Sequence, residues 1–475
     1  MIAGLLLFLI LPLAVAVVVY VMRQWAALSS ILAFAACVAL GIIIIVIPLG
    51  RTVEIWGRQI VLGGTLSLLG RELVLRDFDR VAIAFLYLTA AATLAMAWWV
   101  SRRSLLFPAG LVTLSLLSGS LLIRPLIYSV LLLQIALAVS VFALQREDRG
   151  PTRGGLQYLS FSLLALPGLL TIHWLMERYA LTPENTALLQ ASAVLVVLSF
   201  AMLLGSVPFH TWIPSLTGDG DLLASSFVLT VNHSAVWFLM FSFLETYPEF
   251  SAHSDFASLA STGGLAMVAV GGLFAAAQRR PERMVGYAAL IDSGAALVAL
   301  GLYDERGLAL ALLALMVRPF GLVLMSAGLQ GLRAPGNQDD GLDALRGMAW
   351  RSPGGALAFL MGGMSIAGMP ITAGFAARWA LYRALAPSHL GSALLLIAAT
   401  VGLMIGIWRT FTVLMKCPRL SEGEEPETER RGPAPGPLVP GLVTAVALAS
   451  VSIGLWPQII TPISVQLASL VTFLP

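Results

Sequence analysis

The strongest constraint on this chain is a series of unbroken apolar runs, each about 20 residues long, such as residues 26–48 and 187–206, with almost no charge inside them. An α-helix rises about 1.5 Å per residue, so such a run matches the roughly 30 Å hydrocarbon core of a bilayer. In lipid every backbone N–H and C=O needs an internal partner, which leaves helices and closed barrels. A barrel is excluded because its strands alternate over roughly ten residues, and these runs do not alternate. Composition agrees: 11% of the 475 residues are charged and 58% are hydrophobic. A soluble domain carries about 25% charge. These values exclude a soluble enzyme, a disordered chain and a nucleic-acid binder, since the net charge of +3 is spread over loops.

The pattern predicts an all-α polytopic membrane protein with about 14 spans, starting near residues 2–22 and ending near 438–459. The first run lacks a basic leader and reads as a first helix, not a cleaved signal. Residues 460–475 read as amphipathic at best. Between the second and third spans, Gly63-Gly64-Thr65 suggests a hairpin outside the membrane. Basic residues concentrate in the loops after odd spans, among them Arg23, Arg102, Arg103, Arg279 and Arg280. The positive-inside rule then places both termini outside, in a bacterial inner membrane. The expected segments are 1–79, N-terminal helices with the hairpin; 80–243, span 3 and a first repeat of spans 4–8; 244–415, a second repeat of spans 9–13; and 416–475, a polar loop and span 14.

Two spans contain helix-breaking clusters: Gly205-Ser206-Val207-Pro208-Phe209-His210 at the end of span 7, and Gly362 to Pro370 inside span 12. Proline removes a backbone hydrogen bond, and the freed carbonyls are tolerated only within protein or beside water. Paired breaks in corresponding spans point to two inverted five-helix repeats.

Cys37 and Cys417 are far apart, and the histidines form no HxxxH or HExxH pair. No metal site, cofactor or catalytic residue is expected, and redox chemistry by this chain is excluded on that basis. Of 28 basic residues, Lys416 is the only lysine. A buried lysine that releases its proton near neutral pH is therefore not at hand, and arginine does not replace it because it stays charged.

Val207 to Pro214 (VPFHTWIP) resembles the VPFHxWLP signature of the antiporter-like membrane subunits of respiratory complex I and of Mrp-type cation/proton antiporters. Gln278 to Gly294, Leu345 to Met348 and Ser365 to Phe375 (SIAGMPITAGF) resemble further motifs of that family in order and spacing. The resemblance covers roughly residues 80–415 and is nearest to the N-type or M-type subunit. It implies a subunit that works beside other membrane subunits and lipid, carrying protons along a mid-membrane chain of Glu, Lys and His. The chain departs from that pattern. Gln134 stands where the family has the span-5 Glu, Leu203 for the span-7 Lys and His233 for the span-8 Lys, while Arg318 lies near the span-11 position and Arg378 at the span-12 position.

The candidate proton-path residues are therefore His233, Asp292, Arg318, Arg378, His210 and Gln134. Intramembrane ionisable groups face the bundle interior by default, and Asp292 is the expected partner of one arginine. His233 either titrates or sits neutral and hydrogen-bonded. His210 either gates access from the cytoplasmic side or caps the broken helix. Glu245, Glu249 and His253 read as solvated loop residues, and Trp98, Trp99, Trp174, Tyr179, Trp237 and Trp456 as an aromatic belt or apolar faces. The implied function is a complex I-like membrane-arm subunit whose proton translocation is partial or lost; the alternative is a carrier subunit of an Mrp-like antiporter, a membrane-bound hydrogenase or an inorganic-carbon uptake complex.

Overall fold

The computed structural model describes residues 2–47, 52–55, 58–61, 65–68, 70–100, 105–145, 152–252, 255–333, 341–417 and 438–471. The apolar runs form helices as expected. They are α1 (Leu7–Val21), α2 (Ala26–Val46), α3 (Asp77–Val100), α4 (Leu106–Leu122), α5 (Leu126–Ala143), α6 (Arg153–Leu181) and α7 (Thr186–Leu204). After α7 come α8 (Trp212–Asp219), α9 (Leu222–Phe227), a π-helical turn (Val228–Asn232) and α10 (His233–Thr246). The rest are α11 (Glu249–Ala252), α12 (Asp255–Ala277), α13 (Pro281–Leu300), α14 (Glu305–Leu332), α15 (Met348–Arg351), α16 (Pro353–Ala367), α17 (Gly374–Leu385), α18 (Leu390–Met415), α19 (Leu438–Leu455) and α20 (Thr461–Ser469). Eleven helical segments among the described residues are long and apolar enough to cross a membrane, or twelve if the bent pair α19–α20 is one span. Helices α4 and α16 are apolar but shorter.

Capping follows side-chain chemistry. The Asp221 carboxylate accepts from Ala224 N at 2.9 Å, the Thr152 hydroxyl from Gly155 N at 3.2 Å and the Asp304 carboxylate from Gly307 N at 2.6 Å, each satisfying an orphan donor of a first turn. Pro281 and Pro353 open α13 and α16, where a missing N–H costs nothing.

Burial sorts the bundle. The central span Leu222–Thr246 is buried along nearly all its length, up to Leu244, whereas α1 and α2 face outward. Exposed side chains such as Ile10, Leu164, Val194, Leu273, Leu394 and Trp408 are apolar, as a lipid-facing surface requires. Trp174 and Trp456 are exposed, in keeping with a belt, but Trp237 is fully buried beside Phe241 and belongs to the core. Helices α14 and α16 touch backbone to backbone through Gly328 and Gly362, where a Cβ would overlap Phe359 N and Met325 N.

Two expectations are corrected, and the amphipathic tail gains a defined structure. The polar stretch after α2 forms two hairpins: β2 (Thr52–Ile55) with β3 (Arg58–Val61), and β4 (Thr65–Leu68) with β5 (Arg71–Val74). The first pairs with β1 (Ile2–Ala3) and the second with β6 (Ile123–Arg124), giving two three-stranded sheets that tie this loop to the N-terminus and to the α4–α5 turn. The tail is helical: α20 folds back at 93° to the preceding helix and buries Ser464, Leu467 and Ala468. Glu245 is not simply solvated. It pairs with Arg76, which also bonds the fully buried Asp79 at 2.8 Å. Burial works against the Arg76 charge, but hydrogen bonds and the charges of Asp79 and Glu245 outweigh it and raise its pKa above the ordinary arginine value. Gly63, Gly64, Arg102, Arg103 and His253 lie outside the described residues.

Candidate functional site: a buried polar axis

Both predicted breaks close in the same way. At the first, Gly205 takes the left-handed region (φ 67°), Ser206 N donates to Ala201 O at 2.8 Å and Gly205 N to Met202 O at 3.4 Å. At the second, Gly368 has φ 70°, Met369 N donates to Met364 O at 3.0 Å and Gly368 N to Ser365 O at 3.0 Å. These paired bonds form a Schellman motif, which needs a residue free to adopt positive φ. The chain then turns and resumes as α8 in the first case and α17 in the second. His210 sits in the first turn (Phe209–Thr211), half-buried. The backbone closes the helix end, so capping does not require His210.

The second break builds the charged centre. Gly374 opens α17 against α16; a Cβ there would overlap the Ser365 carbonyl oxygen. Gly368 leaves room for the stem of Arg378, whose Cγ would collide with any Cβ at that position. Arg378 thus lies over the break, donating from Nη2 to Ile366 O at 3.4 Å and approaching Asp292 Oδ1 at 3.5 Å. Arg318, near the middle of α14, donates from Nε to Asp292 Oδ2 at 2.7 Å. Asp292 was expected to pair with one arginine; it bridges both. All three are buried, with Arg318 1%, Asp292 5% and Arg378 4% exposed. Two guanidiniums meet one carboxylate, which leaves a positive balance inside the bundle.

His233 opens α10 directly after the π-helical turn and is buried, with neither ring nitrogen hydrogen-bonded among the described residues. Arg318 is the charged group acting on it. Its ring lies 6.3 Å from that of Trp212, which lies 5.0 Å from Tyr158. The preceding residue, Asn232, donates from Nδ2 to Ser140 Oγ at 2.8 Å and to the Tyr158 hydroxyl at 3.2 Å. Gln134, 8% exposed, donates to Ser162 Oγ at 3.3 Å. Leu203 is buried.

Buried polar groups therefore run from α5 through α6 and α8 to the central span, and on to α13, α14 and α17. Sequence reading placed the charged members but missed Ser140, Tyr158, Ser162 and Asn232. The usable signal was weak: single hydroxyl and amide residues inside apolar spans. Several side chains along this line keep buried polar atoms without partners among the described residues, including Trp212 Nε1, Ser226 Oγ, Trp237 Nε1 and Ser293 Oγ. Such atoms are satisfied in proteins by ordered water, so a hydrated path fits their positions.

Residues 156–406, just over half of the chain, match the family model described as NADH:quinone oxidoreductase/Mrp antiporter, TM. The chain belongs to this family. The match takes in both breaks and all of His233, Asp292, Arg318 and Arg378. Among sequence relatives, NADH-quinone oxidoreductase subunit N 1 of Solibacter usitatus is 25% identical over 58% of this chain and 55% of its own length. Subunit N of Thiobacillus denitrificans is 26% identical over 70% of each. The chain thus spans about half the length of the Solibacter subunit and about two thirds of the Thiobacillus one. The fold is shared with a chain of the Mrp complex from Dietzia sp. (TM-score 0.76, 18% identity, 98% of this chain and 97% of that one). It is also shared with a chain of Thermus thermophilus respiratory complex I (TM-score 0.74, 18% identity, 98% and 100%).

A second, partly buried ionic seam lies at the start of α13 and the end of α14. Glu282, 3% exposed at the start of α13, pairs with Arg333. Gln330 donates to Asp221 Oδ2 at 2.8 Å and accepts from Leu223 N at 3.1 Å. The sequence alone does not reveal the partner of Glu282, which is 51 residues away.

Proposed function

We propose that the chain is a membrane-arm subunit of a complex I-like, NADH/quinone oxidoreductase-type assembly in a bacterial inner membrane, working beside other membrane subunits and lipid. Its proton translocation is reduced to the second half or lost. The observation that carries this reading is the buried His233–Arg318–Asp292–Arg378 array, set against a first half in which Gln134 and Leu203 stand uncharged. A relay needs groups that gain and lose protons, and buried intramembrane charges mark such paths. The first half offers no titratable pair at the two positions that resemble the family's Glu and Lys.

The finer architecture belongs to the same proposal. Counting α4, the broken pair α16–α17 and α19 as spans beside the eleven long helices gives 14, with both termini outside. The matching Schellman breaks at Gly205 and Gly368 support two inverted five-helix repeats, within segments 80–243 and 244–415. The family description also names Mrp antiporters, so a carrier subunit of an Mrp-like assembly is the runner-up.

The test is the proton-to-electron ratio of the reconstituted assembly. Arg378→Met and His233→Leu are each expected to lower it. An unchanged ratio when both are made together shows a spacer and ends the second-half reading. Co-purification decides the assembly: quinone oxidoreductase subunits support the first reading, antiporter subunits the second.

A further inference from the structure

The Asp292 cluster is unbalanced, and the imbalance has a place to be resolved. Arg318 Nη2 and Arg378 Nη1 are buried and have no hydrogen-bond partner among the described residues. Beside them lies a cavity of about 10 Å3 lined by Asp292, Arg318, Ser365, Gly374 and Arg378. That is room for about one water at rest, and a halide, which is larger, enters as the side chains around it move outward. We propose that this cavity is a binding site for a single halide-sized anion, held between the two guanidiniums at the N-terminus of α17.

Charge is the first argument. Two arginines against one aspartate leave one positive charge in the interior, and arginine does not shed its proton to relieve it. Uncompensated buried charge is costly enough that proteins pair or neutralise it. No other described carboxylate is within reach. Glu282 stands ten residues from Asp292 along α13, about 15 Å by helix rise, and already pairs with Arg333. His233 is neutral or cationic and adds no negative charge. A neighbouring subunit cannot insert a carboxylate either, since Arg318 is 1% and Arg378 4% exposed.

Geometry is the second. Gly374 lines the cavity and begins a helix of 12 residues, whose N-terminal end carries partial positive charge. The Gly374 amide itself contacts Ser365 Oγ at 3.3 Å, and the Ile366 carbonyl takes one Arg378 N–H, so these polar groups are partly engaged. The unpaired guanidinium nitrogens remain the donors. The other walls, among them Ala295, Ala314, Ala377 and Leu381, are apolar. The volume admits one atom and rejects bicarbonate, sulfate or phosphate.

The experiment measures the thermal unfolding midpoint of the purified full chain in its assembly, titrated with sodium chloride or bromide against sodium gluconate at equal ionic strength. A saturable rise with both halides and none with gluconate is expected. Arg378→Met is expected to lose the halide response, and Asp292→Asn to strengthen it. Equal midpoints in chloride and gluconate, or an undiminished response in Arg378→Met, overturn the proposal. Because a variant can fail to fold, bromide-soaked crystals of the unaltered protein decide independently: an anomalous peak between Arg318 and Arg378 supports the site, and a cavity without one overturns it.

Discussion

Asp292→Asn isolates the electrostatics of the buried centre. In the native chain the carboxylate faces Arg318 at 2.7 Å and Arg378 at 3.5 Å, all three nearly inaccessible to solvent. The substitution keeps size but replaces one of the two acceptor oxygens with an NH2 donor facing a guanidinium, and it leaves two unopposed buried cations. Removing one partner of a buried ion pair costs about 3–5 kcal/mol. Arg378→Met is the informative contrast, because it leaves the shorter Arg318–Asp292 pair intact and removes the excess charge. Its losses are the longer contact with Asp292 at 3.5 Å and one long hydrogen bond to Ile366 O at 3.4 Å, together expected to cost about 1–2 kcal/mol, because Asp292 stays paired with Arg318 and neutrality is restored. The ranking is therefore Asp292→Asn well below Arg378→Met, by about 2 kcal/mol, or roughly thirtyfold in the unfolded fraction. Urea titration in halide-free lipid–detergent micelles, where no anion balances the cluster, measures it, with tryptophan fluorescence as the signal, because Trp212 and Trp237 are buried in the same core. Equal losses for the two variants, or a larger loss for Arg378→Met, would refute the charge-balance account.

Restoring Glu at 134 and Lys at 203 together is expected to fold at near-native yield, whereas Gln134→Glu or Leu203→Lys alone lowers the unfolding midpoint, since each strands a charge in a buried position; equal midpoints for single and double variants count against this. Gly362→Val is expected to destabilise by about 1–3 kcal/mol or more, because its side chain has to part α16 from the α14 backbone, and the thermal midpoint reads the loss. Lys416 is exposed and the only lysine, so a membrane-impermeant amine reagent applied to inverted vesicles is expected to label it, with Lys416→Arg as the control; labelling confined to right-side-out vesicles reverses the proposed orientation.

The fold was legible where one physical requirement dominated. Apolar runs long enough for a bilayer became helices, and the Gly/Pro clusters after Leu204 and Ala367 became breaks with left-handed glycines. Where competing requirements met, the sequence was ambiguous. The Gly63-Gly64 turn suggested one hairpin, but strand partners came from the distant segments Ile2–Ala3 and Ile123–Arg124, which no local pattern announces. From sequence Trp237 fits either a belt or an apolar face, because tryptophan serves both; its place at the centre follows from helix order in space. The charged site residues were visible because a charge inside an apolar span is costly and so conspicuous. Ser140, Ser162 and Asn232 were not, because a hydroxyl or amide can satisfy its own helix and carries little signal. That Asp292 serves two arginines depends on the close approach of α13, α14 and α17, which only the tertiary structure supplies.

The two halves of the axis differ in what their chemistry permits. In the first half the polar groups are Gln134, Ser140, Tyr158, Ser162 and Asn232, all neutral and joined mainly by hydrogen bonds. They can hold water in a line but offer no site where a proton rests near neutral pH. In the second half Asp292 is the one carboxylate at the centre among the described residues, and it is clamped between two guanidiniums. Arginine on both sides fixes charge instead of shuttling it. A lysine at either place, coupled to the same aspartate, could trade its proton as neighbouring charge changed. His233 is then the one group on the axis whose ordinary range spans physiological pH, and it stands between the neutral half and the clamped half. On the proposed function, a proton that crosses the subunit by side chains passes through that residue. Loss of transport in His233→Leu with retained transport in His233→Lys is the expected pattern for such a bottleneck, whereas equal transport in both variants would place the path in water alone.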